Sequence, residues 1–544
     1  MTKSRGVKLM HWRVSSLISG GAAAVAVLLG TVGAAHAAMM PPAAARTGLA
    51  AVQAHCSACH RETAPGHFAR ISEERKTPEG WAMTIFRMEH VHGVSLTPKQ
   101  LRTIIRYLSD VQGLAPSEIR AGRFALERRP NHPILKLPYN LPVMCGRCHS
   151  LARVALTRQP ASEWLKLINF HVGQFPFLEY QDGSRDIRWW KIASTQLPVE
   201  LARLFPLHSA AWREWKNGSH ADPAGEWIVH GDTPGRGDYY GTALIRQTSW
   251  DRYGAHYVLH YANGAAFNGS SHAIVYTGFE WRGTGTLGGK SVHEVYFASA
   301  HRSRISGRWF LDGHSEIGGN WEAARITGAP KVMAVIPSAL KAGTRQRVIV
   351  VGRGLRGAVD LGPGTKSRIL ARRSYGLILS VRVNADAAPG YRTVRVGGVQ
   401  GGDLLAVYRH VDRLKVEPAF AIARLGGGTL APVDAQFQAI GYTNVAGAHG
   451  KVIAVRLGAM PVIWSVEPFN AEAAKREDVR FAGTLNQDGL FLPAEGGPDP
   501  KRQFSADNTG DLYVVATRKR GKAAVVGKAH LIVTVQRWIH PPIY

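Results

Sequence analysis

The 544-residue chain carries 67 Lys and Arg against 39 Asp and Glu, a formal net charge of +28, and has only four cysteines. That length excludes a single ordinary core and predicts three or four domains. So large a positive excess points to an acidic protein partner, an acidic substrate or the membrane surface.

The N-terminus reads as a secretory signal over residues 1–37. Lys3, Arg5, Lys8 and Arg13 form its basic region, residues 22–29 its apolar stretch, and Ala35-His36-Ala37 the small-x-small cleavage site. A retained membrane anchor is the alternative, but the apolar run is short and interrupted by glycines. No later segment is apolar enough to cross a bilayer. Export predicts a periplasmic protein, a compartment that excludes nucleic acid as partner. Cleavage removes those four positive charges and no acidic ones, leaving +24.

Residues 46–214 read as an all-α tandem cytochrome c domain with two haems. Cys56-Ser57-Ala58-Cys59-His60 and Cys145-Gly146-Arg147-Cys148-His149 both have Cys-x-x-Cys-His spacing and together use every cysteine. In such a motif two thiols add to one porphyrin and the following histidine, His60 or His149, ligates the iron. A zinc site has no need of the adjacent histidines, and a disulfide closing so small a loop stabilises little. Each motif is followed by a repeat. Thr77-Pro78 opens a helix with Trp81, Ile85 and Met88 on one face; Ser162 opens Trp164, Ile168 and His171 at the same offsets. The repeat assigns the distal iron positions to Met88 and His171. Met83, His90 and His92 compete with Met88, whereas no methionine lies between residues 145 and 332 to compete with His171. Pro98 and Pro198 each open a closing helix.

Beyond residue 214, glycine and short alternating runs predict three antiparallel β domains. Residues 215–328 read as a barrel or sandwich, with strands near 255–261 and 272–276 and Asn-Gly turns at 263 and 268. Residues 329–414 read as an immunoglobulin-like module with strands at 347–351, 377–383 and 393–396. Residues 415–544 read as a C-terminal β-sandwich. The first β domain contains His220, His230, His256, His260, His272, His293, His301 and His314. Without carboxylates at ligand spacing these read as packing and surface groups. No catalytic-serine, phosphate-loop or dinucleotide motif is present, so no catalytic residue is assigned.

A tandem dihaem module followed by three β domains resembles the large, alpha subunit of quinohaemoprotein amine dehydrogenase. The resemblance spans the mature chain and rests on the two haem motifs, the Trp-x-x-x-Ile-x-x-Met/His repeat and the order of the β segments. It implies a heterotrimer with a β-propeller subunit and a small subunit bearing cysteine tryptophylquinone, where a primary amine is oxidised to aldehyde and ammonia. It further implies that this chain passes the electrons through its haems to a soluble acceptor such as a cytochrome c or cupredoxin. With all four cysteines committed to haem, none remains here to build the quinone. A dihaem c-type peroxidase and a plain dihaem carrier with docking β domains are the alternatives.

Overall fold

Two buried tryptophans, Trp81 and Trp164, lie in the cores of the two halves of the haem region. In the computed structural model the described residues are 40–129, 131, 135–138, 140–146, 149–175, 178, 187–218, 220, 222–299, 303–427, 430–520 and 523–535. The signal expectation, Cys148 and His301 lie outside them. Helix α1 (Pro42–Cys56) ends on the first haem-motif cysteine. Helix α2 (Pro78–His92) starts where the Thr77 hydroxyl accepts the Gly80 N–H and Pro78 presets the first turn. Helix α3 (Pro98–Val111) opens with a capping box between Thr97 and Gln100. Trp81, Ile85, Ile104, Ile105 and Leu108 pack with Val52 and Phe68 into one cluster. Burying each such side chain contributes about 1.5–3 kcal/mol. The second half repeats the plan: Trp164 and Ile168 from the Ala161–Gln174 helix pack with Leu141, Met144, Trp189 and Leu201. That helix starts after Pro160, so Ser162 lies within its first turn and caps nothing.

The expected all-α character of this region is overturned. Strands β1 (Glu62–Ala64) and β2 (His67–Phe68) form a hairpin after the first motif. Strand β3 (Arg75–Lys76) pairs antiparallel with β4 (Thr157–Arg158), Arg75 opposite Arg158. Strands of two or three residues are too short to show an alternating pattern, and the β3–β4 pairing spans the two halves of the repeat, so no local signal announces it. The structure as a whole is mostly β, 44% strand against 24% helix.

Eight strands, β5 (Gly225–Thr233), β6 (Gly237–Gln247), β7 (Arg252–Tyr261), β8 (Gly269–Tyr276), β9 (Glu280–Leu287), β10 (Lys290–Ala298), β11 (Arg304–Leu311) and β12 (His314–Arg325), follow one another around a closed barrel. Alternate residues point inward, as Tyr253, Ala255, Tyr257, Leu259 and Tyr261 do along β7. Trp227, Tyr239, Trp281, Tyr296, Trp309 and Trp321 complete a packed aromatic interior. Two further β regions follow, over residues 331–408 and 413–534. Neither is purely antiparallel, which corrects the expected class a second time. Ala339–Lys341 runs parallel to Leu405–Tyr408, and Phe420–Arg424 runs parallel to Ala523–Thr534. A parallel pair needs a long crossover between its strands, and short-range turn signals do not encode one. Among the described residues no helix is long and apolar enough to cross a membrane.

The barrel holds the haem region through buried polar contacts. Arg282 on β9 pairs with Glu79 of α2 at 2.5 Å, and the Thr277 N–H donates to Asp110 of α3 at 2.7 Å. Arg308 on β11 donates to the carbonyls of Glu127 and Arg128.

Candidate haem sites

At the first motif the chain leaves α1 in a tight turn, the N–H groups of Cys59 and His60 both reaching the Cys56 carbonyl, at 3.2 and 2.9 Å. Cys56 packs against the first cluster while Cys59 is exposed. Burial, then the neighbouring Cys59, pushes the Cys56 thiol up. The His60 ring places Nδ1 3.0 Å from the Ala69 carbonyl. A carbonyl oxygen only accepts, so Nδ1 carries the proton and Nε2 keeps its lone pair for a metal. At the second motif Cys145 closes a helical turn on Leu141, and Gly146 follows where a side chain would strike the Pro142 carbonyl.

His149 and His171 come together, with ring centroids 6.3 Å apart. Each is fixed through Nδ1, on the Ser150 carbonyl at 3.1 Å and the Leu167 carbonyl at 2.6 Å, and so keeps its Nε2 lone pair. Two imidazoles on opposite sides of one metal, each nitrogen roughly 2 Å from it, have centroids about 6 Å apart. The observed spacing fits an iron held between them. Burial holds both imidazoles below their ordinary range, with repulsion from Arg153 adding to it. The buried Trp164 indole N–H, in the same cluster as Cys145, has no acceptor among the described residues. It is a donor of the kind a haem carboxylate takes up.

Around the first haem motif, Met88 is half-buried near the end of α2. The Met83 sulfur instead lies 3.9 Å from Arg153 of the other half. His90 is exposed, stacks on Phe86 and holds its carbonyl, and His92 is exposed. The structure does not bring Met88 and His60 together by any contact comparable to that of His149 and His171.

Sequence reasoning missed the charged groups between the halves. Arg75 and Arg158 each lie six residues before their tryptophan, so they occupy equivalent places in the repeat. Both are buried, and both converge on Glu118: Arg75 makes two bonds of 2.8 Å and Arg158 approaches to 3.4 Å. Nearer the distal positions, the Arg87 guanidinium lies 5.4 Å from the centre of the Phe170 ring. Arg87 and Phe170 immediately precede Met88 and His171, so equivalent residues of the repeat touch each other. The spacing from the tryptophans was the one signal that could have found them.

Four family models match the chain in succession. Residues 46–212 match the haem-binding domain of the quinohaemoprotein amine dehydrogenase alpha subunit. Residues 220–326, 329–409 and 414–543 match domains II, III and IV of the same subunit. No curated protein matches the chain. Solved structures show only weak likeness: a de novo fluorescence-activating β-barrel (13% identity, 19% of this chain and 92% of that one, TM-score 0.16) and three extracellular domains of mouse clustered protocadherin γC3 (13%, 43% and 77%, TM-score 0.15). Four consecutive models specific to one subunit settle the family: this chain belongs to the quinohaemoprotein amine dehydrogenases, as an alpha subunit.

Proposed function

We propose that this subunit is the dihaem electron carrier of a periplasmic amine dehydrogenase, taking electrons from a quinone on a partner subunit. The observation that carries the reading is the pair His149 and His171, with ring centroids 6.3 Å apart and each held in the tautomer that leaves Nε2 for a metal. Cys56 and Cys59 would hold one haem, with His60 and Met88 as the residues offered to its iron; Cys145 and Cys148 would hold the other, with His149 and His171. Bound there, the haems supply one-electron transfer between a two-electron quinone and a soluble one-electron acceptor. The chain's own part is positional: backbone carbonyls orient the imidazoles, and the hydrophobic clusters around Trp81 and Trp164 exclude water. A methionine ligand raises a haem's potential relative to a second histidine, so the Met88 site is assigned the later place in the relay. The family's small quinone-bearing and β-propeller subunits are the partners proposed for a heterotrimer.

The test is to purify the tagged chain gently from its own host and add a primary amine without oxygen. Growth of the ferrous c-haem bands, with a small cross-linked polypeptide in the preparation, is the expected result. A chain that arrives alone, ignores amines and consumes peroxide overturns the reading.

A further inference from the structure

Outside the haem region, one cluster of ligating side chains joins two parts of the chain that are far apart in sequence. His314 and Glu316 are two residues apart on β12, hence on the same side of the strand. Asp434 comes from the C-terminal β region, just before the Ala435–Gln436 strand. The His314 Nδ1 lies 3.3 Å from Glu316 Oε1 and 3.7 Å from Asp434 Oδ2, and one ligand atom from each residue falls within 4.8 Å of the others.

The charges of this cluster are unbalanced. The Glu316 and Asp434 side chains are only 5% and 6% exposed, and two carboxylates at such burial repel unless a cation lies between them. The buried guanidinium of Arg308, on the neighbouring strand β11, spends its hydrogen bonds on the carbonyls of residues 127, 128, 315 and 316 rather than on the carboxylates. Among the described residues the Asp434 carboxylate accepts no hydrogen bond; its one ionic contact is with His314. It is a buried anion aimed into the cluster.

We propose that His314, Glu316 and Asp434 form a site for a zinc-class divalent cation that clamps the barrel to the C-terminal β region. One neutral imidazole and two carboxylates sum to a charge of −2, which a divalent ion neutralises. A tetrahedral zinc with ligands roughly 2.0–2.2 Å away sets its donor atoms about 3.4 Å apart. The two His314 distances bracket that spacing. Imidazole among the donors favours zinc over the all-oxygen shells of calcium or magnesium. The half-exposed His314 gives the ion a way in and leaves a position for water.

The experiment dialyses the full chain, carrying a tag without histidines, against low-micromolar zinc chloride, then measures bound zinc per chain by mass spectrometry and its coordination by zinc-edge X-ray absorption. One zinc with a single nitrogen and otherwise oxygen neighbours is expected. His314→Gln and Asp434→Asn should each weaken zinc binding at least tenfold and abolish any zinc-dependent rise in the thermal midpoint. His314→Gln changes a half-exposed side chain, so it keeps the test independent of folding defects. No zinc above the buffer level, sulfur neighbours, or undiminished zinc in both variants overturns the proposal.

Discussion

His171 is tied by its Nδ1 to the carbonyl one helical turn earlier, so the helix itself selects the tautomer that offers Nε2 to a metal. In the proposed ligand set, replacing it by methionine keeps a donor to the iron but changes its electronic character. Axial ligands govern haem potentials over about 0.8 V, and methionine raises them. His171→Met is therefore expected to raise the midpoint of one haem by roughly 0.2 V and leave the other unmoved. Spectroelectrochemical titration checks this; two unchanged midpoints would remove His171 from the ligand set. A second residue-scale case lies on the barrel, where Asp232 and Asp238 sit directly opposite each other on β5 and β6. Burial, then repulsion from Asp232, pushes the Asp238 carboxyl up to about 6. The folded state therefore holds that proton more tightly than the unfolded chain, and stability falls as pH rises from about 4 to 6. Asp238→Asn is expected to stabilise the protein by about 0.5–1 kcal/mol at neutral pH. The gain should vanish below pH 4, measured by denaturant unfolding at both pH values.

Among the described residues the β3–β4 pair is the smallest sheet, yet it joins the two halves of the haem-binding region. Its two arginines share the Glu118 carboxylate, and all three side chains are buried. Burial alone would raise that carboxyl, but the Arg75 bonds, the Ala115 N–H and Arg158 carry it below its ordinary value. A depressed carboxylate contributes stability above its unfolded pKa and loses it as pH falls through the folded value. Removing one partner of a buried pair costs about 3–5 kcal/mol. Glu118→Gln should therefore lower the denaturant midpoint followed at the Soret band, with the deficit largest at neutral pH and shrinking below about pH 4. An unchanged midpoint would show that the halves are held elsewhere. The sequence displayed the haem motifs and the Trp-Ile repeat because each is local: fixed spacings along one segment. It hid the β3–β4 pairing, the role of Glu118 and the His314–Glu316–Asp434 cluster because each depends on residues brought from distant segments. The spacing rule that named His171 could not have named Asp434, which is 118 positions from Glu316. The same locality explains why an all-helical reading of residues 46–214 failed: the strands there are too short to carry a pattern.

Across the described residues, the barrel and the C-terminal β region are tied to the haem region by side-chain hydrogen bonds. Arg282 on Glu79, Arg106 on the Val275 carbonyl and Arg129 on Asn320 fix it to the barrel, and Asn131 accepts the Ile422 N–H of the C-terminal β region. Arg282 and Arg106 are largely buried and spent on internal partners, shielded from an incoming protein. The full sequence carries +28, or +24 once the expected signal is removed, and so large an excess creates a field that favours acidic partners. Such a field acts on the encounter rate and is screened beyond about 8 Å at physiological salt. Reduction of an acidic soluble acceptor by the amine-reduced enzyme is therefore expected to slow roughly tenfold as salt rises from about 20 to 300 mM. Heme reduction by amine within the complex should change little, because that step needs no new encounter. Stopped-flow measurement of both steps across the salt series separates them. A flat dependence for the acceptor step would mean that the positive charge is spread too evenly to steer. Parallel slowing of both steps would place the effect on the assembly of the complex rather than on its exit to the acceptor.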